Sequence, residues 1–263
     1  MKINFHKYQG TGNDFIMIDN RSGDYDAIDN QTVEFLCNRK FGVGADGLIL
    51  LENSNNEAAF KMRYFNRDGK EATFCGNGGR CIVAFAAKLN IIKYDTFIEF
   101  QSIVGFHKAI INNSNVVSLK MKDVNEIIQM NDGFFIDTGS PHFVTLCDNI
   151  ENINVLKEGK KLRNDLRFKK FGGTNVNFMK INKDNSLSIR TFERGVEDET
   201  LSCGTGSVAS AIVAYKLKKN CSKFIINTLG GKISVRFNEN LNGTINDIWL
   251  EGKAEFVFEG VFF

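Results

Sequence analysis

Two stretches of the chain match each other and decide its fold: CGNGGRCIVAFAAKL at residues 75–89 and CGTGSVASAIVAYKL at residues 203–217. In each stretch a cysteine and small residues lead into an alanine-rich apolar pattern, which is typical of a buried helix. Cysteine, glycine, lysine and leucine positions coincide when the second stretch is written under the first. The pattern predicts one helix over residues 78–89 and another over residues 206–219.

Further matches lie upstream of both cysteines at nearly the same separation. TGNDF at residues 11–15 resembles TGSPHF at residues 138–143 with one residue inserted, and RYF at 63–65 matches RTF at 190–192. The cysteines are 128 residues apart, and the upstream pairs are 127 residues apart. A period of this length does not indicate a solenoid, whose repeats are far shorter. It indicates two copies of one domain-sized unit.

The rest of each copy consists of short runs with the composition of β-strands. The predicted strands are INFHKY, FIMID, GLILLE, FKMRYF, FIEF, VVSLKM, GFFIDT, FVTL, NVNFMKI, LSIRTF, KFIINT, KISVRF and IWLEG. Further helices are predicted over TVEFLCNRK (32–40) and near residues 151–157. Many strands around one central helix in each copy predict an α+β fold of two pseudo-symmetric lobes.

The composition excludes several classes of protein. The chain has 263 residues, 43% of them apolar, with a net charge of +2. This charge does not favour nucleic acid or an anionic membrane as a partner. The beginning of the chain, MKINFHKYQGTGNDF, has no apolar segment of a secretory signal, and no apolar run is long enough to span a bilayer. We therefore expect a cytoplasmic protein with reduced thiols.

The six cysteines do not form a pattern of disulfides or metal ligands. There is no CxxC pair, and the three histidines form no cluster, so no metal is expected. The cysteines that lack a counterpart are predicted to be small buried apolar residues. They are Cys37, Cys81, Cys147 and Cys221. Cys75 and Cys203 stand apart because the duplication repeats them in the same setting.

A cysteine at the start of a helix has a chemical consequence. The first helical turn carries N–H groups without partners and a partial positive charge, which together stabilise a thiolate or bind a carboxylate. Glycines beside the cysteine let a substrate approach the backbone. Two such thiols on duplicated lobes indicate a two-base racemase or epimerase, in which one thiolate removes a proton and the other thiol supplies one.

These motifs together resemble the diaminopimelate epimerase family over essentially the whole chain. The motifs are GTGNDF (10–15), FGVGADG (41–47), YFNRDGKEATFCGNGGRC (64–81), GSPH (139–142), TNVNF (174–178) and RTFERGVEDETLSCGTGS (190–207). The resemblance implies that each lobe is a mixed or antiparallel β-barrel-like sheet around its central helix. We assign residues 1–115 with 253–263 to the N-terminal lobe and residues 116–252 to the C-terminal lobe.

The resemblance also implies roles for individual residues. Cys75 and Cys203 would be the acid/base pair, and His142 and Glu193 would tune their protonation. Arg194 would bind the distal carboxylate of the substrate, which suits its planar guanidinium. The residues expected to bind substrate are Asn13, Asn66, Gly76, Asn77, Asn175, Glu193, Arg194, Gly204 and Thr205. Among them, Gly76 with Asn77 and Gly204 with Thr205 would present N–H groups to the α-carboxylate.

The implied reaction interconverts LL- and meso-diaminopimelate without a cofactor, in a homodimeric enzyme. Two positions depart from the family pattern, because Ser140 replaces an asparagine and Gly47 replaces a glutamine found in some members. Three alternatives remain open: a proline or hydroxyproline epimerase, an isomerase of the phenazine-biosynthesis type, and a non-catalytic amino-acid-binding protein. The GVGADG stretch at 42–47 has dinucleotide-binding spacing, but the strand-like GLILLE follows it instead of a helix, which disfavours that function.

Overall fold

The chain divides into two compact units in a computed structural model that describes residues 2–219 and 221–263. The first unit comprises Met1–Leu119 and Gly252–Phe263, and the second comprises Lys120–Glu251. Each unit contains one long helix and a sheet of mixed parallel and antiparallel pairing. The prediction of an α+β fold is confirmed.

The first unit is built from most of the N-terminal elements and the last strand of the chain. Its helices are α1 (Asn30–Cys37) and α2 (Gly76–Lys88). Its strands are β1 (Ile3–Gly10), β2 (Asn13–Asp19), β3 (Gly47–Glu52), β4 (Lys61–Asn66), β5 (Glu71–Ala72), β6 (Ile98–Ser102), β7 (Gly105–Ile111), β8 (Val116–Lys120) and β18 (Glu255–Phe262). They pair in the order β18-β1-β2-β3-β4-β6-β7-β8, with β5 also on β4.

The second unit follows the same plan. Its helices are α3 (Val155–Arg163), a 3₁₀ helix (Leu166–Phe171) and α4 (Gly204–Lys218). Its strands are β9 (Ile127–Met130), β10 (Gly133–Asp137), β11 (Pro141–Leu146), β12 (Asn175–Ile181), β13 (Leu187–Glu193), β14 (Asp198–Thr200), β15 (Lys223–Thr228), β16 (Gly231–Glu239) and β17 (Ile245–Lys253). They pair in the order β9-β10-β11-β12-β13-β15-β16-β17, with β14 also on β13.

The two sheets repeat one sequence of strand directions. In the first unit the parallel pairs are β2–β3 and β4–β6, and in the second they are β11–β12 and β13–β15. The parallel pairs occupy corresponding places in the two orders, and the remaining pairs along both orders are antiparallel. A shared order of this kind is what a duplicated unit produces.

The long helix of each unit lies inside its sheet. Helix α2 contacts β1, β2, β3, β4, β7 and β18, and every residue from Asn77 to Ala87 is buried. Helix α4 contacts β10, β11, β12, β13, β15 and β16, and it is buried from Gly206 to Ala214. Small and apolar residues on all sides let strands approach each helix from several directions. This arrangement fixes the beginning of each helix, where Cys75 and Cys203 lie.

Several predicted boundaries were wrong. Helices α2 and α4 begin two residues earlier than predicted, directly after the cysteines. Helix α3 begins at Val155 because the side chain of Asn154 accepts a hydrogen bond from the Lys157 N–H at 3.0 Å and caps the helix there. Strands β5, β7, β9, β14 and β18 were not predicted. Three of them have only two to four residues, too few to show a period of two.

Candidate active site

The two repeated cysteines occupy the same position, the N-cap, of the two long helices. The carbonyl of Cys75 accepts from the Gly79 N–H at 2.7 Å, and that of Cys203 accepts from the Ser207 N–H at 2.9 Å. Neither cysteine side chain caps its helix. The first N–H groups of each helix have no partner within the helix itself. An anion near either sulfur therefore meets the positive end of a helix dipole.

The thiol of Cys75 faces an amide oxygen. Its Sγ lies 3.5 Å from Oδ1 of Asn13, which also accepts from Nδ2 of Asn77 at 3.3 Å. Nδ2 of Asn13 donates to the carboxylate of Asp46 at 2.8 Å. Because a carboxylate only accepts, this bond turns the Asn13 oxygen toward Cys75. The arrangement suits a protonated Cys75 that donates its hydrogen to Asn13.

A compensated cluster of charges holds Asp46 in place. Arg39 binds Asp46 at 2.9 Å and Asp14 at 2.6 Å, and Lys7 binds Asp14 at 2.7 Å. Burial acts to raise the pKa of Asp14, but hydrogen bonds from Arg39 and Lys7 outweigh it and lower this pKa to about 2. The cluster contains two carboxylates and two cations, so it fixes Asn13 without adding net charge beside Cys75.

The thiol of Cys203 lies at the end of a chain of hydrogen bonds. Its Sγ is 3.5 Å from Oγ1 of Thr205, which is 2.9 Å from Nε2 of His142. Nδ1 of His142 lies 3.0 Å from Nδ2 of Asn177. His142 and Asn177 are fully buried on the adjacent parallel strands β11 and β12. The chain therefore links the sheet interior to the sulfur.

The direction of donation in this chain follows from its buried end. Nδ2 of Asn177 also reaches the carbonyl of Phe143, which only accepts, and Oδ1 of Asn177 accepts from Thr191. Asn177 therefore donates to Nδ1 of His142, which places the ring hydrogen on Nε2, directed at Thr205. The Thr205 hydroxyl is then able to donate to Cys203. One sulfur thus faces an acceptor, and the other faces a hydroxyl that can donate to it.

Burial keeps the ring of His142 neutral. The side chain is fully buried, and its desolvation, with a smaller contribution from the charge of Arg194, lowers the pKa of His142 to about 3. A neutral ring is required for Nδ1 to accept from Asn177. His142 is therefore connected to Cys203 through Thr205 by hydrogen bonds, without a positive charge on the ring.

This low pKa predicts a loss of stability in acid. The unfolded chain binds a proton at His142 below pH about 6.5, whereas the folded protein does not until pH about 3. The free energy of unfolding is therefore expected to fall by about 2 kcal/mol between pH 7 and pH 5 from this residue alone. Urea unfolding of the wild type and of His142→Gln at both pH values measures the effect. The variant should show that much less pH dependence, and equal dependence in both proteins contradicts the prediction.

The polar residues predicted to bind the distal part of the substrate are held by one another. Nδ2 of Asn175 donates to Oγ of Ser140 and to the carbonyl of Pro141, both at 2.9 Å, and its Oδ1 accepts from the Arg194 N–H. The guanidinium of Arg194 donates to the carbonyl of Phe171 at 2.9 Å. Asn175 thus connects Ser140 to the backbone of Arg194. Glu193 precedes Arg194 at the end of β13 and is half-buried.

Gly47 and Asn66 lie opposite each other on β3 and β4. A Cβ atom at position 47 would lie 2.5 Å from the Phe65 carbonyl oxygen and 2.7 Å from Cε2 of Tyr64. A side chain at position 47 therefore requires this part of the sheet to shift. The Tyr64 hydroxyl donates to Oδ1 of the exposed Asn66 at 2.9 Å. Tyr64 occupies the space beside Asn66 that a glutamine at position 47 would need.

The remaining cysteines differ in burial from one another. All six are free of disulfides. Cys37 and Cys81 are buried, as predicted, and burial raises the pKa of Cys37 to about 12. The prediction was wrong for Cys147 and Cys221, which are only half-buried at the edges of apolar clusters.

Within residues 2–219 and 221–263, no helix is long and apolar enough to cross a bilayer, and no three His, Cys, Asp or Glu side chains are grouped as metal ligands.

Sequence reasoning did not single out Asp46, Arg80, Asn177 and Thr191. Each lies inside a motif that the sequence shows, and Asn177 is two residues from Asn175 on β12, so both side chains point to one face of the strand. Asn177, Thr191 and Arg80 are almost completely buried. The available signal for these residues was a polar side chain at a position where the strand or helix pattern predicts a core residue.

The fold is shared with several solved structures. A structure from Bacillus anthracis, described as a phenazine biosynthesis protein of the PhzF family, matches with a TM-score of 0.78 at 14% identity, covering 100% of this chain and 99% of that one. A hydroxyproline epimerase from Agrobacterium vitis matches with a TM-score of 0.70 at 14% identity, covering 99% and 92%. At 14% identity these matches establish the fold alone, a class of fold that the hydroxyproline epimerase also has.

Sequence comparison defines the family within that class. The family model described as diaminopimelate epimerase matches residues 5–124 and 134–257. The diaminopimelate epimerase of Flavobacterium psychrophilum is 51% identical over 259 residues, covering 98% of this chain and 99% of that protein. The diaminopimelate epimerase of Chlorobaculum tepidum is 41% identical over 260 residues, covering 95% and 98%. The chain belongs to the diaminopimelate epimerase family.

Proposed function

We propose that this protein is an isomerase that interconverts LL- and meso-2,6-diaminopimelate, a step toward lysine and peptidoglycan precursors. The observation that carries the proposal is the pair of repeated thiols, Cys75 and Cys203, each at the N-terminus of a buried helix. The identity of the substrate is inferred from membership of the family. Relatives with 51% and 41% identity over nearly the whole chain are named diaminopimelate epimerase.

The proposed reaction is a two-base proton transfer at one α-carbon. One cysteine, as a thiolate, removes the α-proton, and the other, as a thiol, returns a proton to the opposite face of the same carbon. The two sulfurs have unlike surroundings, because Asn13 offers Cys75 an acceptor and Thr205 offers Cys203 a hydroxyl that can also donate. This difference supports a pair that holds one proton between its two members. Reversal of the reaction exchanges the two roles.

Electrostatic stabilisation of the carbanion-like intermediate is assigned to the helix N-termini. The N–H groups of Gly76 and Asn77, and those of Gly204 and Thr205, lie in the first turns of α2 and α4. They are proposed to bind the α-carboxylate, on which negative charge grows as the proton leaves. The reaction needs no cofactor in this proposal. Exclusion of water from the bound substrate would strengthen these interactions.

The distal end of the substrate is assigned to Asn175, Glu193 and Arg194, and Asn13 and Asn66 are proposed to bind other polar groups of the substrate. Arg194 is proposed to bind the distal carboxylate with guanidinium donors in a plane that its bond to Phe171 fixes. Asn175 and Ser140 position the Arg194 backbone, so the serine takes part through a hydrogen bond that an asparagine there could also make. A long substrate with a second charged end distinguishes this site from one for proline.

A deuterium experiment tests the proposal directly. Reduced protein is incubated with LL-diaminopimelate in D₂O, and stereochemistry and α-proton exchange are followed by NMR. The expected result is the meso isomer with deuterium at a single α-carbon. Exchange of L-proline or hydroxyproline instead would assign the protein to those epimerases. No exchange of any of these amino acids would support the phenazine-type isomerase or the binding protein instead.

We further propose that the protein is a cytoplasmic homodimer, as the family resemblance implies. Strand β18 supports a self-association surface, because Phe256, Val257, Phe258 and Val261 on it are each at least 41% exposed. Apolar side chains exposed together on an outer strand favour pairing with a second copy. Light scattering should give twice the chain mass of 29.6 kDa, and Phe258→Lys should lower it. A monomer at micromolar concentration would contradict the proposed homodimer. Export of the tagged protein from the cell would contradict the proposed cytoplasmic location.

A further inference from the structure

Arg80 is a cation in the interior of the first unit, and no carboxylate among the described residues forms an ion pair with it. Its side chain has no solvent exposure, although it lies only five residues after Cys75 on α2. Nη2 donates to Oγ1 of Thr11 at 2.8 Å and to Oδ1 of Asn77 at 3.0 Å. Nε and Nη1 have no hydrogen-bond partner among the described residues. A buried charge left in this state is costly, so a nearby anion is expected at some stage of function.

The backbone around Arg80 is shaped to admit the guanidinium. A Cβ atom on Gly252 would lie 3.1 Å from Nε, and one on Gly10 would lie 3.4 Å from Nη2. Strands β1 and β17 therefore leave a space that the guanidinium fills. The second copy of the repeat has no such cation, because Val208 stands 128 residues after Arg80. The charge distinguishes the helix of Cys75 from the helix of Cys203.

The charged neighbours in the first unit do not supply the missing anion. Asp14 and Asp46 are compensated by Lys7 and Arg39, as described above. Cys81, the next residue on α2, is fully buried, and its desolvation raises the pKa of the thiol well above its usual range. Burial lowers the pKa of Arg80, and negative charge on Cys81 or, to a smaller extent, on Cys75 opposes this effect. Because the pKa of Cys81 is raised so far, Cys75 is the better candidate for the anion on this helix.

We infer that Arg80 is the positioning residue that allows Cys75 to act as a thiolate. The oxygen of Asn13 faces Cys75 and favours the protonated thiol, whereas a two-base reaction requires the same sulfur to lose its proton in each cycle. The buried guanidinium supplies the opposing electrostatic attraction. It also binds Oδ1 of Asn77, whose Nδ2 donates to Asn13, so charge and hydrogen bonding converge on one sulfur.

The inference deepens the proposed function, and its test does not depend on epimerisation. The rate of iodoacetamide alkylation of Cys75 is measured against pH by peptide mass spectrometry. A Cys203→Ala background keeps the two thiols from sharing a proton. Arg80→Met removes the charge at similar length, and Arg80→Lys keeps it. Arg80→Gln is a second neutral variant that retains a donor toward Thr11, in case the methionine protein does not fold.

In the neutral variants, iodoacetamide is expected to alkylate Cys75 about tenfold more slowly at pH 7 than in the protein with Arg80. The midpoint of the pH profile should lie about one unit higher. The lysine variant should stay within about threefold of Arg80. Cys75 profiles that do not change in a folded neutral variant would overturn the inference, as would equal slowing by lysine and methionine. With Arg80 intact, a Cys75 midpoint far above the free-thiol value of about 8.5 would also overturn it. If neither thiol were required for epimerisation, the proposed function would be refuted. The alkylation measurement would still test the effect of Arg80 on Cys75.

Discussion

Cys75→Ala and Cys203→Ala should each lower the rate of diaminopimelate epimerisation by at least about 10³-fold. Each thiol is proposed to be the acid or the base on its own face of the α-carbon, and a correctly placed acid or base contributes about 10²–10⁴-fold to a rate. Alanine cannot carry the proton, and each variant loses the acidic side chain at the N-cap of α2 or α4. Steady-state rates in both directions, with circular dichroism to verify folding, measure the effect.

Cys147→Ala is the matched control. Cys147 is a half-buried thiol that packs beside an apolar cluster and has no part in the proposed chemistry. Its variant should retain activity within about twofold, since replacing a partly exposed side chain of this size has a small effect on stability. Near-native epimerisation by either Cys75→Ala or Cys203→Ala would refute the two-base mechanism. Equal losses in all three variants would point to a general effect of thiol removal on folding.

Gly206→Ala is expected to lower activity by about 10²-fold without unfolding the protein. A Cβ atom at this position would lie 2.3 Å from Oδ1 of Asn177, so the amide must move. Its movement breaks the hydrogen-bond chain through His142 and Thr205 that ends at Cys203. The loss corresponds to the lower part of the range for acid–base groups, because the sulfur itself remains. Alanine suits a helix better than glycine, which favours folding of the variant.

Gly78→Ala provides the control, since Gly78 holds the corresponding position in α2. Its Cβ would lie 2.9 Å from Cδ1 of Ile49, the flexible end of a side chain that can rotate away. Activity should remain within about threefold, because the nearest atoms belong to apolar side chains of the core. A comparison of kcat, Tm and the pH profile of both variants separates the effect of the broken hydrogen bonds from the effect of altered packing. Similar kcat losses in the two proteins would contradict the proposed role of the hydrogen bonds that link Asn177 to Cys203.

The repeat made much of this molecule predictable. Matching residues around Cys75 and Cys203 predicted two copies of one unit, and the structure shows two sheets with the same order of strand directions. Thirteen short runs predicted strands, and each overlaps a strand of the structure. Boundaries were less certain, because the capping side chain of Asn154 and the positions of the two cysteines decide where helices begin. The shortest strands have no readable period.

The duplication, the two thiols at helix N-termini and the family could be predicted from sequence patterns, because these depend on residues close together in the chain. What each sulfur faces depends on residues that folding brings together. Asp46 reaches Asn13 from 33 residues away, and Asn177 reaches His142 from 35 residues away. Strand pairing brings these partners together, and donor and acceptor geometry then gives each thiol its own setting. The charge of Arg80 likewise gains meaning only in the folded structure, which buries it and leaves Nε and Nη1 without a hydrogen-bond partner among the described residues.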